Sequence, residues 1–193
     1  MIDFSPIDQK AMTIPELART LTQAQLAAAA TAMTDALLHG IEGCLDEDVT
    51  FIPNDPDAND TFAADDSVVG LAWTLGHVIV HATASAEEAS FLAAELARGV
   101  PILGRSRYEV PWETVTTVEQ CRHRLRESHR MVLATLEVWP DVPHLEVTVE
   151  SASGLLRNAM ARFLSGLRHS DSHLDQVAGI VEQARLARLA NAL

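Results

Sequence analysis

Four stretches of the chain place apolar residues at the three- and four-residue spacing of one helix face, each bounded by residues that start and stop helices. In the first, Thr13 can cap, Pro15 suits the opening turn and Glu16 completes a capping box. Leu17, Leu21, Ala28, Ala32 and Ala36 then recur at helical spacing until Gly40, a natural stop. The second runs from about Val69 to Arg98, with Gly99 at its end and Pro101 beyond. The third opens on the box Thr117-Val118-Glu119-Gln120 and carries the stripe Val118, Cys121, Leu125, Ser128, Val132, Thr135 and Trp139, ending before Pro140. The fourth is expected from near Ser153 to about Ala190, with Phe163, Leu167, Leu174, Val177 and Val181 on one side.

The connections are long. The acidic segment from about Ile41 to Ser67 exceeds what a tight antiparallel turn needs, and so does the link from Val100 to Thr116. Crossover connections in a bundle fit such lengths better than simple hairpins. Leu145, Val147 and Val149 alternate, which predicts a short extended piece before the fourth helix. No internal repeat divides the chain, and residues 1–193 read as one domain.

Composition agrees with a helical globular protein. Apolar residues are 48% of the chain and aromatics only 5%, with Ala and Leu abundant. The formal charge of −13, from 27 acidic and 14 basic residues, argues against nucleic acid and anionic membrane surfaces as partners. Lys10 is the sole lysine, so the cations are nearly all arginine. Cys44 and Cys121 are too few for a disulfide framework and form no C-x-x-C pair. The opening segment has no basic and apolar leader pattern, and no apolar run is long enough to span a bilayer. A cytoplasmic location is the resulting expectation.

Histidine carries the chemical signal. Four of the eight histidines form two i, i+4 pairs, His77 with His81 and His169 with His173. Residues four apart share a helix face at about 6 Å, so each pair can offer both rings to one ion. Gln176 continues the face of the second pair, and Gly166, one turn before His169, leaves space beside it. Facing helices of a bundle are where such sites are built. The plainer alternative is a polar seam of histidines without metal.

These motifs resemble a known family. Trp73-Thr74-Leu75-Gly76-His77-Val78-Ile79-Val80-His81 is similar to the DinB/YfiT-like pattern of Trp, then Ser or Thr, with a ligand histidine eight residues after the Trp. His169-Ser170-Asp171-Ser172-His173-Leu174-Asp175-Gln176 resembles that family's late H-x-x-x-H-x-x-Q, and Tyr108-Glu109-Val110-Pro111-Trp112 suits its long middle connection. The resemblance runs from about Thr13 to Arg185. It implies an all-α four-helix bundle with long crossover connections and a divalent metal, zinc or nickel, held by His81, His169 and His173. It also implies a homodimer and a reaction using a low-molecular-weight thiol, as in the family's transferases and isomerases. His77 stands where relatives frequently have an acidic residue, leaving it as a neighbour, an alternative ligand or a proton carrier.

Three imidazoles would leave an ion positively charged with a position open to water, a thiol or a substrate. Each ligand ring needs an acceptor for its other N–H, and Glu88 and Gln176 are the candidates by spacing. Three functional expectations follow: a metal-dependent thiol transferase, isomerase or hydrolase acting on a small electrophile; a non-catalytic metal-binding stress or interaction protein; and a metal-free bundle.

Other motifs read as structural. Asp55-Pro56-Asp57-Ala58-Asn59-Asp60 with Asp66 imitates a calcium loop but lacks its Gly and terminal Glu, so a solvated acidic loop is expected. Arg105 and Arg107, with Tyr108 and Trp112, could grip a substrate carboxylate, although ion pairs within this acidic protein account for them more simply. Cys121 lies on an apolar stripe, and Cys44 sits among Asp46, Glu47 and Asp48, which disfavour a thiolate.

Overall fold

A computed structural model of the chain describes residues 1–60, 69–100 and 110–191. Arg105, Arg107, Tyr108 and Asp66 therefore lie outside the described residues. The helices are α1 (Ser5–Asp8), α2 (Ile14–Ala18), α3 (Gln23–Gly40), α4 (Asp46–Val49), α5 (Leu75–Ala97), α6 (Val118–Glu137), α7 (Ala159–Ser172) and α8 (Leu174–Asn191). A 3₁₀ turn covers Trp112–Thr114, and strands β1 (Val149–Glu150) and β2 (Leu156–Arg157) pair antiparallel. The described residues are thus all-α but for one small hairpin.

Helices α3, α5, α6 and α7 form the bundle. Gln23 at the start of α3 donates its side-chain amide to the Leu136 carbonyl at 2.6 Å, and Thr31 meets His129 at 3.0 Å, so α3 and α6 run antiparallel. In α5 and α7, Gly166 approaches Ala86 and Ala89 while His169 meets His81, so these two are also antiparallel. The early residues of α5 and α6 share one apolar cluster (Val78, Ile79, Cys121, Leu125), and their late residues share another (Ala93, Ala97, Val132, Leu136). Hence α5 and α6 are parallel, and the connection joining them returns the chain from one end of the bundle to the other. The long connection from α3 to α5 begins and ends at one end, where Leu37 and Ile41 pack with Leu75.

Two predicted helices are broken. The first divides into α2 and α3 because Thr22 begins a second capping box: its hydroxyl accepts the Gln25 N–H at 3.2 Å, and Gln25 Oε1 accepts the Thr22 N–H at 2.8 Å. The fourth starts at Ala159, capped by Asn158, rather than near Ser153, and the residues before it form the hairpin. It then breaks at His173, which ends α7 as its C-cap, and α8 continues over the corner formed by α3 and α4. There Val177 packs against Gly40, and Arg188 pairs with the buried Asp48 at 2.6 Å. The second helix starts at Leu75, not Val69, since Thr74 caps it by accepting the His77 N–H. Its far end fits expectation: Gly99 takes a positive φ of 75°, and a Cβ there would press on His144 at 3.2 Å. No helix among the described residues is long and apolar enough to cross a membrane.

Candidate metal centre

Two close approaches of backbone set the site. At Gly166, a Cβ would lie 2.5 Å from the Ala89 Cβ, so the missing side chain is what lets α7 lie against α5. The sequence placed Gly166 as room beside the histidines; its role is this helix contact. At Gly76, a Cβ would lie 2.5 Å from the Val115 carbonyl oxygen, so glycine admits the end of the α5–α6 connection to the first turn of α5. Both contacts hold elements that carry the site residues.

His81 from the second turn of α5 meets His169 from the last turn of α7, their Nε2 atoms 2.8 Å apart at a sequence separation of 88. His173 Nε2 lies 3.3 Å from His169 Nε2, and the three prospective donor atoms all fall within 4.8 Å of one another. The i, i+4 relation of His169 and His173 survives the helix break because His173 keeps a near-helical backbone, φ −96° and ψ −5°.

The donor set suits a divalent ion. His173 Nδ1 donates to the Gln176 side-chain carbonyl at 2.8 Å, which fixes the proton on Nδ1 and leaves the Nε2 lone pair facing the other two rings. Burial pushes the His173 pKa below its ordinary value, only partly opposed by the Gln176 hydrogen bond, and favours the neutral ring a metal requires. Two nitrogens on one tetrahedral zinc stand about 3.3 Å apart, given bonds of roughly 2.0–2.1 Å. The His169–His173 separation already has that value, and the His81–His169 pair needs only a small opening.

The other residues singled out by spacing take different places. Gln176 is the acceptor for His173. Glu88 is half-buried on α5, two turns beyond His81. His77 is not part of the three-histidine group. Its ring lies between two indoles, 4.3 Å from Trp73 at an interplanar angle of 22° and 4.6 Å from Trp112 at 3°. Burial lowers its pKa to about 4, and its buried Nδ1 has no hydrogen-bond partner among the described residues. Trp73 also leans over the candidate ligands, 4.7 Å from the His81 ring and 6.0 Å from that of His173. This aromatic wall was missed in the sequence because Trp112 reaches it from a different element.

The cysteines are not among the clustered donor groups. Both are buried in the apolar cluster at the site end of the bundle. Burial pushes Cys121 up to about 12, and burial first, then Asp48, raises Cys44. In the acidic loop, Asp55 and Asp57 are exposed, as a solvated segment requires.

A sequence model of the DinB superfamily matches residues 15–177, a span containing all three clustered histidines together with Trp73, Trp112 and Gln176. No curated protein and no solved structure gives a significant match.

Proposed function

The chain belongs to the DinB superfamily, and we propose that it is a metal-dependent member in which His81, His169 and His173 hold one divalent ion, zinc or nickel. The observation that carries this is the convergence of three Nε2 atoms from α5 and α7 at one point. An all-imidazole donor set suits zinc, nickel and their first-row neighbours better than calcium or magnesium, which take oxygen ligands. Bound there, the ion would supply Lewis acidity sufficient to ionise a thiol or a water near neutral pH. The reaction proposed is transfer, isomerisation or hydrolysis of a small electrophile, with a low-molecular-weight thiol as the partner substrate.

The protein's own groups contribute orientation. Gln176 holds the His173 tautomer, and Trp73 packs against the rings of His81 and His173. A second reading, a non-catalytic metal-binding protein, draws on the groups found against the three rings. Trp73 and Gln176, the groups described against the His173 ring, do not exchange protons near neutral pH.

Elemental analysis of tag-free protein tests the metal, and turnover with pairs of thiol and electrophile tests the reaction. About one equivalent of zinc or nickel, lost in His173→Ala together with turnover, is the expected outcome. Metal without turnover across the panel selects the second reading, and equal metal content in His173→Ala rules out the assigned ligand set.

A further inference from the structure

We propose that Trp73, His77 and Trp112 form a stacked strut that positions the His81 and His173 rings, with His77 acting through its ring faces and not its nitrogens. This rests on the metal-site reading above and extends it to residues outside the donor set. Two near-parallel indoles with ring centroids 4.3 and 4.6 Å from one imidazole cannot share one of its faces, so His77 fills the gap between them. Trp73 sits just before the Thr74 cap of α5, on non-helical backbone. Without support on its outer face, that indole would be free to swing away from His81 and His173. The support comes from His77 and, behind it, Trp112.

Trp112 is itself firmly placed. Its turn closes through the Thr114 N–H to the Pro111 carbonyl and the Val115 N–H to the Trp112 carbonyl, each 3.0 Å. Gln120 at the start of α6 donates to the Thr114 carbonyl at 3.2 Å, and the Val118 N–H donates to Asp46 at 2.9 Å. The glycine at position 76 lets the Val115 carbonyl rest on the first turn of α5, one residue from His77. The strut thus runs from an anchored turn of the connection, through three rings, to two candidate metal ligands. Among the described residues the buried Nδ1 of His77 has no hydrogen-bond partner, which fits a ring placed by its faces.

The test is titration of the metal-free full chain with cobalt(II), reading both affinity and the ligand-field absorption band, in the wild type, His77→Ala, His77→Phe, Trp112→Ala and Trp112→Phe. Removing outer groups that orient metal ligands typically weakens binding about 10–100-fold. That loss, with an altered band, is expected in both alanine variants, while both phenylalanine variants stay within about threefold of the wild type on the same scale. A His77→Phe protein as weak as His77→Ala would overturn the strut by showing that the nitrogens matter. A Trp112→Ala protein with wild-type affinity and spectrum would overturn it from the other end. Should His77→Ala not fold, the Trp112 pair decides alone. Wild-type protein that takes up no cobalt would instead defeat the metal site itself, and the strut with it.

Discussion

Replacing Gly166 by alanine probes the link between helix packing and site geometry. The added Cβ would stand 2.5 Å from the Ala89 Cβ, where carbon atoms ordinarily rest about 3.5–4.0 Å apart. Neither methyl has a rotamer to change, so relief has to come from α7 moving away from α5 by about 1 Å, the shortfall in that contact distance. Overpacking of this kind costs about 1–3 kcal/mol. At about 2–4 °C per kcal/mol for a chain of this size, the melting temperature should fall by roughly 2–12 °C.

The same displacement acts on the histidines, because His169 lies one turn beyond Gly166 on α7. The His81–His169 separation of 2.8 Å would open to about 3.8 Å, past the roughly 3.3 Å of a tetrahedral ion, and metal affinity should fall about tenfold or more. Pairing the change with Ala89→Gly removes the clash. That second change costs up to about 1 kcal/mol of helix propensity, so stability returns only in part while affinity returns fully. Calorimetry of the metal-free proteins and metal titration of the wild type, both single variants and the double variant separate the two effects. Metal binding untouched in Gly166→Ala would refute the coupling between this contact and the site.

Three further outcomes follow from the structure. Gln176→Leu should weaken metal binding about 10–100-fold by freeing the His173 tautomer, and Gln176→Glu, which still accepts from Nδ1, should preserve it. The metal-free protein should lose stability as pH falls from 6.5 towards 4, because His77 protonates in the unfolded chain but not while its folded pKa is near 4. A shift of that size corresponds to roughly 3 kcal/mol, which the ring's partial exposure reduces to about 1–2. Denaturant titrations should show this slope shrinking in His77→Phe, with no difference between the proteins' pH dependence above about 6.5. Arg188→Ala leaves the Asp48 carboxylate, 3% exposed, without its cation and should cost about 1–3 kcal/mol, read as a lower denaturant midpoint at unchanged slope.

What the sequence revealed depended on how local each signal was. The boxes at Thr13–Glu16 and Thr117–Gln120 and the stop at Gly99 are decided within one turn, and all three stand in the structure. His81, His169 and His173 were found by joining i, i+4 geometry to the family's motif order, and the three-histidine cluster is the group thus identified. The second box at Thr22 was equally local, but helical spacing continues across it from Leu17 and Leu21, which masked the break. The break at His173 has neither glycine nor proline to mark it; α8 departs there to pack Val177, Ile180 and Ala184, a tertiary cause. His77 shows the limit of spacing most clearly. Its separation from His81 is the same as that of the true neighbours His169 and His173, yet Trp112, brought in by the chain's return along the bundle, captures its ring.

That return has a bearing on the order in which the protein assembles. His169 and His173 can meet as soon as α7 forms, but His81 joins them only after a loop closes across a sequence separation of 88. Loop closure adds little per doubling of length, about 0.6 kcal/mol, yet contacts so distant in sequence slow the search for them. The unfolded chain can therefore offer an ion two neighbouring donors at most, while the complete trio exists only once α5 and α7 are docked. An ion binding that trio would draw the population towards the docked state and slow its opening, so chelation during refolding should hinder the last step more than the first.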